Sequence, residues 1–359
     1  MFHELIEFLY GIFTPFRIFG YLTFRSAFAA LTTLLICFVF GGKIIENLRR
    51  LKIGQSVRED GPATHLIKSG TPTMGGIFII LSVVIAIGFW GNWRNSAVLI
   101  TTGAFIAFGA IGFIDDYLKV TRRNSEGLPV WAKLVFQFAA AVGVVLVIYF
   151  TGGEETTALY IPFFKEPVLD MGLLWIPFAV LLVVGESNAV NFSDGLDGLL
   201  AGLLIIVFLT LAILSYITGR VDFSEYLGIP YIPEAGELTV FCLAAAGACV
   251  GFLWFNAHPA EVFMGDVGSL SLGGVVAVIS LITKKEILLL VIGGVFILEI
   301  ASVVIQVVSY KLRKKRVFKM APLHHHYELM GWSESKTVIR FWILGGLFAI
   351  IALSTLKIQ

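Results

Sequence analysis

Long uncharged runs of apolar residues alternate with short polar segments along a chain of 359 residues. A helix needs about 20 apolar residues to cross the hydrocarbon core of a bilayer, which is about 30 Å thick. The runs are continuously apolar, so they favour helices over the alternating strands of a β-barrel. We predict an all-α, polytopic membrane protein that forms one domain over residues 1–359. About ten runs qualify as transmembrane helices: 26–42, 74–90, 97–114, 134–150, 171–185, 199–218, 238–255, 270–283, 287–310 and 338–356.

Composition and charge agree with a membrane protein and predict its orientation. Hydrophobic residues make up 57% of the chain and charged residues 14%, whereas an ordinary soluble domain has roughly 25% charged residues. The loops after the odd-numbered runs hold 17 lysines and arginines, and the loops after the even-numbered runs hold 5. Because positively charged loops stay in the cytoplasm, both termini are predicted to lie outside. Cys37, Cys242 and Cys249 fall within apolar runs, which favours packing roles over disulfides or metal binding.

An adjacent pair of acids ends the third run. Asp115 and Asp116 stand where this helix is predicted to reach the cytoplasm, and Lys119 follows on the same helix face. An acid pair beside a cation can keep one carboxylate charged while the pKa of the other rises, which suits metal binding or base catalysis. A charge patch that simply ends a helix at the interface explains the pair equally well.

The third predicted inner loop, NAVNFSDGLDG over residues 188–198, has no lysine or arginine. Asn191, Asp194 and Asp197 are spaced by three, so a turn of helix would place them along one face. The glycines that follow the two aspartates would let a ligand approach the backbone. An ordinary turn also uses Asp-Gly pairs and is the simpler interpretation of this segment taken alone.

The fourth inner loop also lacks basic residues and carries Asn256 and Asp266. A lone aspartate in a loop is usually only solvated. However, the two inner loops without basic residues are the ones that carry Asn and Asp, and a divalent cation would supply the missing positive charge. With the acid pair and the two aspartates of the preceding inner loop, Asp266 completes a set of five at one membrane face. An all-oxygen set of this kind favours Mg²⁺ over zinc.

The fifth inner loop combines a basic run, KLRKKR, with His324, His325 and His326. Consecutive residues on a helix point about 100° apart, so the three imidazoles are poor zinc ligands as a set. They can donate hydrogen bonds to phosphate, and the basic run would attract anionic lipid headgroups besides anchoring the loop inside. The first inner loop adds Lys68 and Thr73. Acids for Mg²⁺, separate lysines and hydroxyls at one interface suggest phosphate transfer in which one phosphate is carried on a lipid.

Six motifs resemble, in their order, those of the phospho-N-acetylmuramoyl-pentapeptide transferases, which belong to the polyprenyl-phosphate N-acetylhexosamine-1-phosphate transferases. The motifs are TPTMGG (71–76), DDYLK (115–119), NAVNFSDGLDG (188–198), GFLWFN (251–256), FMGDVGSL (263–270) and APLHHHYELMGW (321–332). The similarity extends from residue 21 to the C-terminus. It implies ten transmembrane helices with both termini periplasmic, a place in the bacterial inner (cytoplasmic) membrane, and an active site that faces the cytoplasm.

The resemblance also implies a reaction. With Mg²⁺, phospho-MurNAc-pentapeptide passes from UDP-MurNAc-pentapeptide to undecaprenyl phosphate, which gives lipid I and UMP. Asp266 matches the family's principal Mg²⁺ ligand, and Asp115, Asp116 and His324 are the other expected catalytic residues. Asp115 is the better candidate of the pair for contacting and deprotonating the lipid phosphate. The implied partners are the two substrates, the bilayer and a second copy of the chain in a homodimer, and no nucleic acid is expected.

Further positions match substrate contacts of the family. Phe263 would stack on uracil through the face of its ring, and the strip 188–198 would form the nucleotide side of the site. The expected substrate-binding residues are Lys68, Thr73, Lys119, Lys133, Asn191, Asp194, Asp197, Asn256, Phe263, Gln306, His325 and His326.

Three residues depart from the family pattern or from the membrane environment. Ser193 stands where Thr is more usual and keeps the hydroxyl. Glu186 stands where a small or neutral residue is expected, and it is either a local salt-bridge partner or a tuning feature. Glu299 lies inside the ninth run and is expected to face protein and to bond another helix, because a charge in lipid is costly.

Two other functions compete with this interpretation. A sister enzyme that attaches GlcNAc-1-phosphate or a related sugar phosphate to the same kind of lipid would share the acidic motifs. HHHYEL in the last inner loop instead follows the muramoyl-pentapeptide pattern. An ion-coupled transporter would place acids near the bilayer midplane and show inverted repeats, whereas the acids here stand at the ends of predicted spans.

Overall fold

The computed structural model describes residues 14–50, 70–122 and 127–357. Over these residues the chain is almost entirely helical, as predicted, and one two-stranded antiparallel sheet pairs β1 (Ala158–Leu159) with β2 (Leu169–Asp170). The α-helices of the described residues are α1 (Leu22–Arg50), α2 (Gly76–Trp90), α3 (Ser96–Arg122), α4 (Val130–Thr151), α5 (Trp175–Phe192), α6 (Leu199–Thr218), α7 (Val221–Leu227), α8 (Leu238–Asn256), α9 (Gly265–Ile282), α10 (Glu286–Ile292), α11 (Gly294–Arg313), α12 (Leu323–Leu329) and α13 (Glu334–Ser354).

Within the described ranges, nine helices are long and apolar enough to cross a membrane, which confirms a polytopic membrane protein. The predicted span 74–90 becomes α2, an apolar helix of only 15 residues. Met74 takes a left-handed backbone conformation with φ 69°, and the backbone N–H of Gly75 donates to the carbonyl oxygen of Phe263 at 2.9 Å. The beginning of this run therefore pairs with the segment before α9 and does not extend the helix.

Several other spans also differ from their predicted bounds. The run 171–185 continues past Glu186, because that charged side chain is buried inside the protein and does not end the helix. The run 270–283 begins earlier, at Gly265, and forms a helix of 18 residues. The run 287–310 is broken into α10 and α11 at Gly293, where a Cβ would lie 3.1 Å from Glu186 Oε1 of α5.

The helix α9 lies at the centre of the bundle and packs against α3, α5 and α2. Backbones approach closely at two glycines: a Cβ at Gly76 of α2 would overlap the backbone of Gly268, and one at Gly112 of α3 would overlap the carbonyl group of Asp266. Small residues stabilise helix pairs in membranes because they allow this close packing. These contacts fix the N-terminal end of α9 against two neighbouring helices.

A continuous buried apolar core includes residues from Ala29 to Ala352. Cys37, Cys242 and Cys249 are buried within it as free thiols, in agreement with the predicted packing roles. The orientation of the bundle across the membrane and its organisation as one domain stay predictions.

Candidate functional site

Three aspartates meet where the C-terminal part of α3 crosses the start of α9. Asp115 and Asp116 lie in α3, and Asp266 lies in the first turn of α9. One carboxylate oxygen from each lies within 4.8 Å of the others. Both aspartates of α3 are only 2% exposed. Burying three carboxylates together is unfavourable unless cations or hydrogen-bond donors compensate them.

Two lysines provide part of that compensation. Lys119 Nζ is 2.6 Å from Asp115 Oδ2, 2.7 Å from Asp266 Oδ2 and 3.3 Å from Asp116 Oδ1. Lys133, in the first turn of α4, reaches Asp266 Oδ2 at 2.8 Å. The cluster therefore holds three carboxylates against two ammonium groups and keeps an excess of negative charge.

Backbone N–H groups fix the orientation of the two aspartates of α3. Asp115 Oδ1 accepts a hydrogen bond from the backbone of Leu128 at 2.8 Å. Asp116 Oδ2 accepts one from the backbone of Val267 in α9 at 3.2 Å. The pair is thus tied both to the loop before α4 and to the helix that carries Asp266.

The last turn of α5 connects the strip 188–198 to the aspartates. Asn191 Nδ2 donates to Asp266 Oδ1 and to Ser269 Oγ, both at 2.7 Å. Ser269 was not expected as a site residue. It lies one helical turn after Asp266 and within the motif FMGDVGSL, and these two signals could have identified it.

The segment TPTMGG reaches the same end of α9. Gly265 has φ 72°, and a Cβ there would lie 2.9 Å from Oγ1 of the buried Thr73. The backbone N–H of the partly buried Phe263 donates to the Pro72 carbonyl oxygen at 2.8 Å. Lys68, the other expected contact from this loop, lies outside the described residues.

Residues 193–198 form a turn between α5 and α6, so the helical alternative for this strip is wrong beyond its first part. Asn191 is still helical and faces Asp266, whereas Asp194 follows in the turn. Burial, together with the charges of Asp266 and Asp116, raises the pKa of Asp194 to about 7. The two Asp-Gly steps bend the chain, as they do in ordinary turns.

Asp197 faces away from the three aspartates. Its Oδ2 lies 3.0 Å from His258 Nδ1 and accepts the backbone N–H of Ala260 at 3.1 Å. Its own backbone N–H donates to Glu334 Oε1 at 2.8 Å. Sequence reasoning missed His258 and Glu334, since only the fold brings the segment after α8 and the start of α13 to this turn.

Two residues that were expected to bind substrate accept hydrogen bonds from backbone N–H groups through their side-chain amides. Asn256 Oδ1 accepts the backbone N–H of Gly198 at 3.0 Å. Gln306 Oε1 accepts the backbone N–H groups of Val317 and Phe318 at 2.9 and 3.0 Å. Direct contacts of Asn256 and Gln306 with substrate stay predictions.

His324, in α12, is buried against the strip. A Cβ at Gly195 would overlap its ring, so this position in the turn requires glycine. On its other side, His324 Nδ1 lies 3.2 Å from Glu299 Oε1, without the alignment of a hydrogen bond. Glu299 is fully buried and faces α12, as predicted, but its carboxylate oxygens accept no hydrogen bond from the described residues, so the predicted bond to another helix is not formed there. Glu186 is also buried but forms no ion pair with any described residue, so the local salt bridge considered for it is absent there.

The next two histidines point to other neighbours, because consecutive positions on a helix face different directions. His325 Nδ1 lies 2.9 Å from Glu328 Oε2 within α12. His326 Nδ1 accepts the backbone N–H of Lys319 at 3.1 Å. The three rings therefore do not converge on one point, which agrees with their rejection as a zinc site.

Comparison with known proteins identifies the family. Residues 97–284 match Glycosyl transferase family 4, and residues 68–80 match the phospho-N-acetylmuramoyl-pentapeptide-transferase signature 1. The chain is 51% identical to the phospho-N-acetylmuramoyl-pentapeptide-transferase of Koribacter versatilis, over 98% of this chain and 97% of the relative. It is 50% identical to that of Thermodesulfovibrio yellowstonii and 48% identical to that of Desulfosudis oleivorans, over the full length of both chains in each case. The chain belongs to the phospho-N-acetylmuramoyl-pentapeptide-transferase family.

The family matches cover the site described above. The signature contains Thr73, and the longer match contains Asp115, Asp116 and Asp266 together with the strip. The three histidines follow that match but lie within the full-length similarity to the transferases. The resemblance noted in the sequence is therefore confirmed over the whole chain.

Proposed function

We propose that this protein transfers phospho-MurNAc-pentapeptide from UDP-MurNAc-pentapeptide to undecaprenyl phosphate, with lipid I and UMP as products. The names of relatives with about half of their residues identical support the assignment. The observation that carries it is the cluster of three aspartates and two lysines at the ends of membrane helices. Charged groups fixed in this way suit phosphoryl transfer, which depends mainly on positioning and electrostatic stabilisation.

The cluster also fits Mg²⁺, which we propose as the cofactor with Asp266 as its principal ligand. The donor atoms of Asp115, Asp116 and Asp266 are all carboxylate oxygens, and Mg²⁺ prefers oxygen ligands. The ammonium of Lys119 lies within 3.3 Å of all three carboxylates, so their centre accommodates a positive charge. Bound Mg²⁺ would neutralise charge on the diphosphate of the sugar nucleotide.

The remaining parts of the site suit the two substrates. Lys119 and Lys133 place two ammonium groups where phosphate oxygens would lie beside the carboxylates. Asp115 is proposed to contact the lipid phosphate and to accept its proton. The exposed part of Phe263 and the turn that carries Asp194 would contact the nucleotide. We further propose that the site faces the cytoplasm, that the protein lies in the bacterial inner membrane and that it works as a homodimer.

The direct test measures UMP release by purified protein in detergent. Undecaprenyl phosphate is supplied with UDP-MurNAc-pentapeptide in one reaction and with UDP-GlcNAc in a parallel reaction, each with Mg²⁺ or with excess EDTA. We expect Mg²⁺-dependent release from the muramoyl substrate alone. Because Mg²⁺ compensates the excess negative charge at the site, EDTA should remove the activity and added Mg²⁺ should restore it.

Each of the other outcomes would assign a different function to this protein. Release only from UDP-GlcNAc would assign the chain to the sister enzymes. Release from neither substrate by folded protein, beside an active control enzyme, would favour the transporter. The position of Asp266 in the first turn of α9 argues against the transporter, because a coupling ion is expected to bind near the middle of a span.

Replacing Lys133 tests the electrostatic part of the proposal. Lys133→Met should lower UMP release about 10- to 100-fold, because hydrogen bonds to charged groups contribute about 1.5–3 kcal/mol. Lys133→Arg keeps the charge and should retain more of the activity. Lys165→Met is the matched control, since it removes an exposed lysine far along the chain from this cluster. If Lys133→Met and Lys165→Met were equally active, Lys133 would have no part in the reaction.

A further inference from the structure

The other end of α9 carries a second group of buried charges. Lys284 and Lys285 follow the last turn of α9, whereas Asp266 lies in its first turn. A helix of 18 residues is about 27 Å long at 1.5 Å per residue. The lysines therefore lie at the opposite face of the bundle from the aspartates, and the proposed transferase reaction does not use them.

Lys284 is fully engaged by the protein. Its Nζ is 2.6 Å from Glu286 Oε1 and donates to the carbonyl oxygen of Thr156 at 2.9 Å. The same ammonium lies 5.4 Å from the ring centre of Trp175, in a cation–π arrangement. Glu286 supplies the only carboxylate of the segment 283–286, and this carboxylate is paired with Lys284.

Lys285 is buried without such a partner. It is 6% exposed, and its ammonium forms no hydrogen bond or ion pair with any described residue. Burial lowers the pKa of Lys285 to about 8, while attraction by Glu286 opposes this shift and repulsion by Lys284 adds to it. A buried cation without a partner is costly, and folded proteins normally pair it.

A shallow pocket that opens to the surface adjoins this lysine. Besides Lys284 and Lys285, the pocket is lined by Tyr160, Ile161, Pro162, Leu288, Thr355 and Leu356. Tyr160 directs its hydroxyl to Glu155 Oε2 at 3.0 Å, outside this lining. The pocket thus combines a cation that lacks a partner among the described residues with polar and apolar groups at the end of a membrane helix.

We propose that Lys285 and this pocket bind a phosphate-bearing anion. A phosphate oxygen would accept a charge-assisted hydrogen bond from the Lys285 ammonium and supply the negative charge that the protein lacks there. Polar and apolar groups beside a cation suit the headgroup region of an anionic lipid, whose glycerol and upper acyl chain would contact Leu356 at the edge of the pocket. Free phosphate offers the same oxygen atoms but has no apolar group. An experiment can therefore distinguish free phosphate from a lipid headgroup.

The test compares wild-type protein with Lys285→Gln and with the control Lys165→Gln, which removes an exposed lysine of the loop that also carries Tyr160 and Pro162. Delipidated protein is titrated with phosphatidylglycerol or phosphatidylcholine, and bound lipids are counted by native mass spectrometry. In a second arm, thermal melting is followed with and without inorganic phosphate. We expect Lys285→Gln to bind the anion about tenfold more weakly than wild type and Lys165→Gln, and Lys285→Arg to retain binding.

In the absence of any anion, the melting temperature should change in the opposite direction. Delipidated Lys285→Gln should melt at the same temperature as wild type or higher, because it no longer buries an unpaired charge, and its UMP release should be unchanged. The anion should then raise the melting temperature of wild type but not of the variant. Should Lys285→Gln not fold, Leu356→Glu, which adds a carboxylate to the pocket wall and keeps the lysine, should weaken binding in its place.

Each outcome decides the proposal. Selective loss of phosphatidylglycerol binding supports it with a lipid as the source, and selective loss of the phosphate effect supports it with free phosphate as the source. If Lys285→Gln and wild type respond equally to both anions, no phosphate site exists there and the proposal is overturned.

Discussion

Asp266→Asn is expected to lower UMP release about 10³-fold, the size of effect seen when a group that stabilises transition-state charge is removed. Asp266 Oδ2 contacts both Lys119 and Lys133, and Oδ1 accepts from Asn191. An asparagine has one acceptor oxygen and an amide that donates, so it cannot serve donors on both sides. The variant also loses a charge that the proposed Mg²⁺ needs.

Asp222→Asn is the matched control, because it makes the same chemical change at an exposed aspartate that pairs with Arg220. Both variants are purified, checked for the wild-type melting temperature and assayed across a range of Mg²⁺ concentrations. The control should behave as wild type at every concentration. Near-normal turnover by Asp266→Asn at saturating Mg²⁺ would remove this residue from the metal site.

Gly112→Ala is expected to lower UMP release about 100-fold although it changes no charged group. A methyl group at Gly112 would overlap the carbonyl group of Asp266, so α3 would have to move away from α9. Asp115 and Asp116 follow within about one helical turn on α3 and would move with it. Displacement of catalytic groups by about 1 Å costs on the order of 100-fold in rate.

Gly103→Ala is the control, since it lies in the same helix and a Cβ there meets no atom within 4 Å. Alanine is a better helix former than glycine, so this variant should be as stable as wild type or slightly more so and fully active. UMP release and melting temperature are measured for both variants. Equal activity of Gly112→Ala and Gly103→Ala would show that the close approach of α3 and α9 does not position the aspartates.

The sequence allowed much of the site to be predicted. Asp115, Asp116 and Asp266 were grouped with the two aspartates of the strip because all five lie at one predicted membrane face, and the fold places the first three together. Lys119 was expected on the face of the acid pair through its helical spacing, and it contacts both acids. These inferences succeed because helix periodicity and membrane crossings leave few arrangements open.

Other features of the site and of the fold could not be predicted from the sequence. The strip 188–198 ends in the turn that its Asp-Gly pairs favoured, but the sequence did not show that Asp197 in this turn pairs with His258 outside the aspartate cluster. The break at Gly293 also has no signal in the apolar pattern, because glycine is common in membrane helices. Both features depend on which helix lies next to the residue in space.

The residue pattern alone shows that this protein is a bundle of membrane helices and predicts acidic groups at one membrane face, because lipid requires apolar helices and favours charges at their ends. Which charges compensate one another depends on the three-dimensional fold: Lys119 and Lys133 lie against Asp266, Lys284 lies against Glu286, and Lys285 has no partner among the described residues. Ion pairs form only between charges that the fold brings within a few ångströms of each other. Those distances are set by close contacts such as that of Gly112 with Asp266, which join residues far apart in the chain.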